Sequence, residues 1–118
     1  MISWFEIPVT NMERAIRFYS DIFDIKMETQ HMNGTDMAFF PQNMLVSGAL
    51  CKGKGYVPID QGTLIYLNGG KDLSDVLMHI ENAGGKIMVP KTQITPEYGY
   101  MAIFTDTEGN KLALHSQE

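Results

Sequence analysis

Hydrophobic and polar residues alternate from the first positions of the chain. Across Ile2–Val9, Phe5, Ile7 and Val9 fall on one face, and Trp4, Glu6 and Pro8 on the other. This predicts a half-buried strand that ends near Pro8, which has no N–H to give to a ladder. The period then changes. Met12, Ala15, Ile16, Tyr19, Ile22 and Phe23 recur at helical spacing and predict an amphipathic helix over Thr10–Phe23. Thr10-Asn11-Met12-Glu13 reads as a capping box, the Thr10 hydroxyl accepting from the Glu13 amide and the Glu13 side chain reaching back. Arg14, Arg17 and Asp21 fall on the wet side, with Phe18 at the border.

Residues 25–30 and 36–41 read as strands joined through Asn33-Gly34, a strong hairpin signal, and Met44–Leu50 as a further strand with Gly48 inside it. Gly53–Gly62 has glycine, proline and charge without periodicity. The order then repeats. Leu64–Asn68 predicts a strand. Asp72 or Ser74 caps a helix carrying Leu73, Val76, Leu77 and Ile80 on one face, and Gly84 stops it. Ile87–Val89 is a short strand, Pro90–Gly99 a loop, and Tyr100–Thr105 with Lys111–His115 a closing hairpin around residues 106–110.

Each half is therefore close to β-α-β-β-β, and the whole is α+β. Two copies of so small a unit are expected to pack together, since neither buries its apolar face alone. The expected organisation is a single domain with module one over residues 1–52, a linker over 53–62 and module two over 63–118. The space between the halves is the place to look for a site.

Composition narrows the function. The 118 residues are 44% hydrophobic with a formal net charge of -5. That suits a globular core and argues against nucleic acid, which needs a basic surface. No run of about eighteen apolar residues occurs, so no membrane span is expected. Ser3 and Glu6 interrupt any basic-then-apolar leader pattern. The single cysteine, Cys51, allows no internal disulfide, and the expectation is a cytoplasmic protein. Nine methionines read as soft core filler or as an adaptable pocket.

Three stretches then carry a resemblance. They are Phe5-Glu6-Ile7-Pro8-Val9 running into Met12–Tyr19, Ala83-Gly84-Gly85-Lys86-Ile87, and Asp106-Thr107-Glu108-Gly109-Asn110-Lys111-Leu112. In order and spacing the chain resembles the vicinal oxygen chelate superfamily, which includes glyoxalase I, bleomycin-resistance proteins and extradiol dioxygenases. The resemblance implies two βαβββ modules curled around a cleft, helices on the outer faces, and a homodimer. It also implies a divalent metal held by His, Gln or Glu on the first and last strand of each module. Here those positions fall on Trp4, Gly48, Leu64 (or Thr63) and Ala113. Only a Thr63 hydroxyl among them offers even a weak donor, so the usual metal site is expected to be missing.

With the facing taken from that alignment, Glu6 joins Trp4 in the cleft, Lys111 and His115 join Ala113, and Tyr66 and Asn68 join Leu64. Trp4, Met37, Phe39 and Tyr66 read either as a partly aromatic lining suited to a flat or apolar ligand or as ordinary core packing. Glu6 is either a general base or ligand acceptor, or a structural ion pair. Glu97-Tyr98-Gly99-Tyr100 is either a lid that brings Tyr100 to the cleft or a plain surface loop. His31, His79 and Cys51 read as structural or solvated. Lys52-Gly53-Lys54-Gly55 lacks the context of a phosphate loop. The expected ligand-binding set is thus Trp4, Glu6, Met37, Phe39, Gly48, Tyr66, Asn68, Tyr100 and His115. The favoured function is metal-free binding of a small, partly apolar molecule. The alternatives are a lyase or isomerase of the glyoxalase type with a divalent metal on Glu6 and His115, and a dimeric interaction module.

Overall fold

The computed structural model describes residues 2–42 and 46–118. It contains β1 (Trp4–Pro8), α1 (Met12–Phe23), β2 (Glu28–Met32), β3 (Thr35–Phe39), β4 (Ser47–Lys52), β5 (Tyr66–Asn68), α2 (Ser74–Ile80), β6 (Lys86–Thr95), β7 (Gly99–Thr105) and β8 (Lys111–Ser116). Two four-stranded sheets form, in the orders β1-β4-β3-β2 and β5-β8-β7-β6. In each, the first strand runs parallel to the last, and the remaining pairs are antiparallel. The fold is α+β and built from two βαβββ modules, as the repeat predicts.

One face of each sheet supplies a common core. Ile7, Ala38 and Leu50 from the first sheet join Leu67, Ala102, Phe104, Leu112 and Leu114 from the second, with Tyr19 and Ile22 of α1 and Val76 and Ile80 of α2. Two sheets with one apolar face each thus bury both in a single cluster, the main source of stability for such units. Phe18 is fully buried and not at a border: its ring lies 6.1 Å from that of Phe104. It passes over Gly85, where a Cβ would come 2.7 Å from the ring. The second module covers a flank of α1 that a helix read in isolation presents to water.

Other elements differ from the pattern-based reading, β2 beginning three residues later than expected and β5 only at Tyr66. The first amides of α1 are not served by a capping box. Asn11 is the N-cap and accepts from the Arg14 amide, while Glu13 stays exposed. β6 runs to Thr95, through the stretch read as a loop, despite Pro90. It is the edge strand of its sheet, where a missing N–H costs no ladder bond, and its pairing with β7 is interrupted by register shifts. β4 reaches Lys52; of the strand expected from Met44, residues Met44 and Leu45 lie outside the described residues. At Asn33-Gly34 both residues take positive φ, 52° and 80°, as a tight hairpin needs.

Candidate functional site

Strand pleating sorts the side chains onto two faces. In the first sheet Phe5, Ile7, Ala38 and Leu50 turn toward the helices, so Trp4, Glu6, Met37, Phe39, Ala49 and Cys51 turn away. In the second, Leu67, Ala102, Leu112 and Leu114 turn inward. Tyr66, Asn68, Ala113, His115 and Met101 share the other face. Seven of the nine expected ligand-binding residues therefore stand on the faces turned from the helices. Gly48 and Tyr100 do not. Gly48 lies under Phe5, where a Cβ would come 2.3 Å from the Phe5 carbonyl oxygen. Tyr100 packs against the core cluster, with the Lys91 ammonium 4.6 Å from its ring centre. A one-residue shift in assumed register is enough to reverse a side chain in this way.

On the first sheet the outward face is partly covered. Met37, Ala49 and Cys51 are buried together beneath Phe39 and Tyr56. The Tyr56 hydroxyl donates to Glu6 Oε1 at 2.7 Å, so the carboxylate on β1 is met by a residue from the aperiodic stretch after β4. That hydrogen bond, with burial behind it, pushes the Tyr56 phenol up to about 12. Burial, aided by the Glu6 charge, pushes the Cys51 thiol up to about 11, which leaves it a poor nucleophile at neutral pH. Trp4 lies 6.0 Å from Phe39, ring to ring, at a tilt of 54°. A hollow of about 270 Å³ lies against these two rings and is also lined by Lys26, Glu28 and Gln42.

On the second sheet His115 Nε2 donates to the Tyr98 carbonyl in the β6–β7 turn. Glu6 and His115 are thus engaged with different partners. Among the described residues no three His, Cys, Asp or Glu side chains converge. The positions that the resemblance assigns to metal ligands carry Trp4, Gly48, Leu64 (or Thr63) and Ala113: an indole whose N–H has no lone pair to give, side chains without a ligating atom, and at most one hydroxyl. These residues do not fit a divalent metal.

A larger cavity, about 440 Å³, opens between the modules. Glu6, Ile7 and Pro8 of β1 form one wall, Asn110, Lys111 and Leu112 another, and residues 57–65 the third, with Val57 and Ile59 among them. Its floor is tied by Asn110, whose amide nitrogen donates to the Pro8 carbonyl at 2.7 Å and to Asp106 at 3.0 Å. The Asn110 carbonyl oxygen accepts from the Ile59 amide at 3.2 Å. Asp106 in turn accepts from the buried Tyr19 hydroxyl at 2.7 Å. Burial, then the nearby Asp106 charge, pushes the Tyr19 phenol well above its usual range.

Glu108 completes the junction. Its Oε1 accepts from the amides of Thr10 and Asn11, both at 2.8 Å, and from the Thr10 hydroxyl. Its Oε2 accepts from Arg14 Nε at 2.7 Å. Burial opposes ionisation, but Arg14 and the two amides override it and hold the carboxyl at about 2. The stretch Asp106–Leu112, which carries part of the resemblance, is therefore a joint between the modules. Tyr56 and Glu108 were not legible as site or joint residues, because their partners lie 50 and up to 98 positions away.

The geometry defines a two-module fold with an intermodule cavity. The chain belongs to the Glyoxalase/Bleomycin resistance protein/Dioxygenase superfamily, whose family model matches residues 1–114. A glyoxylase-like domain-containing protein of Didymella fabae is 33% identical over 96% of this chain and 91% of its own length. Among solved structures, TnmS3, an antibiotic binding protein from Streptomyces sp. CB03234, superposes with a TM-score of 0.74 at 21% identity, covering 100% of this chain and 96% of that one. Glyoxalase I from Zea mays gives 0.74 at 20% identity over 98% of this chain, which spans 44% of the maize protein. The fosfomycin resistance protein FosX of Listeria monocytogenes, as its E126Q mutant, gives 0.69 at 15% identity, over 100% of this chain and 90% of that one. At these identities the solved structures speak for the fold.

Proposed function

We propose that this protein binds a small, partly apolar molecule between its modules, and that it does so without the divalent metal common among its relatives. The observation that carries the reading is the pair Trp4 and Tyr66. They stand on the outward faces of the two sheets and remain 38% and 49% exposed. Large rings gain by burial, and a bound ligand would supply it. Phe39 extends the apolar surface beside Trp4 over the buried Met37, Glu6 adds a carboxylate on the same face of the first sheet, and Asn68 and His115 stand with Tyr66 on the outward face of the second. TnmS3, an antibiotic binding protein whose fold this chain shares, lends the reading support. The donor-poor residues at the family's ligand positions favour it over a metal-dependent lyase built on Glu6 and His115.

Trp4 is the only tryptophan, so its emission reports on the site directly. Titration with a panel of flat aromatic compounds, with and without chelator and with added Zn, Mn or Ni, is expected to give saturable quenching that ignores the metal. Binding that requires a metal, or no saturable change with any compound, overturns the reading. A cytoplasmic homodimer of two halves, residues 1–52 and 63–118 joined by 53–62, accompanies it. Sedimentation over a range of concentrations tests the dimer, and a sharp monomer throughout removes it.

A further inference from the structure

The cavity of about 440 Å³ carries information about ligand chemistry that the aromatic surface does not. Glu6 and Lys111 line the same space from β1 and β8, opposite in charge. They do not neutralise each other: the ion pairs among the described residues include neither of them. Tyr56 occupies only Oε1 of Glu6, which leaves Oε2 without a hydrogen-bond partner among the described residues. Val57 and Ile59 line the same space, yet are 68% and 58% exposed, an apolar surface with nothing against it. The walls are held in place, since Asn110 is buried and bonded to Pro8, Asp106 and Ile59 together. A volume of a few hundred cubic ångströms, apolar surface and a few fixed polar groups are the ingredients of a small-ligand site.

We propose that this cavity takes an amphoteric small molecule, its cationic or hydrogen-bond-donating end on Glu6, its anionic end on Lys111, and an aliphatic stretch along Val57 and Ile59. The inference rests on the proposed ligand site between the modules, with which this cavity shares Glu6, and adds the polarity of the ligand. Complementary charges at two points of the wall select a double-ended ligand over either single-ended one, because a single-ended ligand matches only one of them.

The test uses the full-length protein and three series of simple probes followed by calorimetry. These are aminobutyrate, aminohexanoate and aminooctanoate with the amine at the chain end, the matching alkylamines, and the matching alkanoates. One length of the amino acids is expected to bind at least about ten-fold more tightly than its amine or its acid, the size of effect that one charge-assisted hydrogen bond gives. Glu6→Gln, which still accepts the Tyr56 hydroxyl, is expected to lose about ten-fold toward the amino acid and the amine while leaving the acid unchanged. Lys111→Met is expected to do the reverse, losing the acid and sparing the amine. Equal binding by all three series, no binding by any, or equal losses across the series in either variant overturns the inference. If flat aromatic compounds still quench Trp4 in that case, the cleft reading stands and only the amphoteric assignment falls.

Discussion

The two helices occupy equivalent places in the two modules, yet different parts of the chain complete them. The start of α2 is served from within its own module: the Leu73 amide donates to the Ser116 hydroxyl and the Ser74 amide to Asp72, both at 2.9 Å. At the start of α1 the Arg14 amide is capped by Asn11 of its own module, but the Thr10 and Asn11 amides just before the helix are served from the other module, by Glu108. The entry to α2 is thus closed within module two, while the entry to α1 depends in part on its neighbour. Duplicated units need not remain equivalent once they share a core, because a helix end left with unpaired amides accepts any suitable carboxylate within reach. The outward faces diverge as well. Tyr56 covers part of the first sheet, whereas on the second Tyr66 remains half exposed.

The largest expected effect comes from the contact that both modules share. Phe18→Ala removes a fully buried ring packed on Phe104 and is expected to cost about 3–5 kcal/mol, read by denaturant unfolding. The loss should appear as one cooperative transition. Two separate transitions would show that the modules are independent and would break the comparison.

Next is Glu108→Gln, expected to cost roughly 2–3 kcal/mol at neutral pH, since the side chain has no exposed surface and satisfies Thr10, Asn11 and Arg14. The folded state holds this carboxyl at about 2, below its ordinary 4.5. Its contribution is therefore complete above that ordinary value and is lost as pH falls from about 4.5 toward 2. The wild type should lose stability over that window and the variant much less. Equal acid sensitivity in both would remove Glu108 from the account.

Tyr19→Phe deletes the hydroxyl that donates to Asp106 and is expected to cost about 1–3 kcal/mol, as a buried acceptor loses one of its partners. Hydrogen exchange should quicken in α1 more than in α2. The smallest effect belongs to Asp72→Asn. The Lys91 bond, with the Ser74 amide, holds the Asp72 carboxyl down to about 2, but the group is substantially exposed and its ion pair is screened. The variant should melt closer to wild type than Glu108→Gln does, with faster exchange confined to the start of α2. Faster exchange in α1 as well would contradict the self-contained closure of module two.

Much of the fold was legible because it is written in local periods. The alternation at Phe5 and Ile7 and the helical spacing from Met12 to Phe23 each determine an element without long-range information. Other features depend on partners the local pattern does not contain. Pro90 read as a loop because its edge position is a property of the sheet. Thr10 read as a cap because nothing nearby announces that Glu108 will claim it. The candidate site was less legible still. Parity along a strand placed Trp4, Glu6, Tyr66, Asn68 and His115 on the outward faces once a starting residue was chosen, but Gly48 was placed one residue out of phase. Tyr100 entered through its loop and turned inward with β7. Tyr56 lies in a stretch with no period at all, and its role exists only because Glu6 is opposite it.

The Glu108 joint also has a meaning for how the chain is made. Thr10 and its partner are 98 positions apart. During synthesis α1 emerges early, its Phe18 uncovered until Gly85 and Phe104 follow, and the Thr10 and Asn11 amides keep water in place of their carboxylate partner until residue 108 has left the ribosome. A module that comes first in the message is thus finished last in space, and a chain truncated before that turn leaves an unfinished first half for the quality-control machinery to meet.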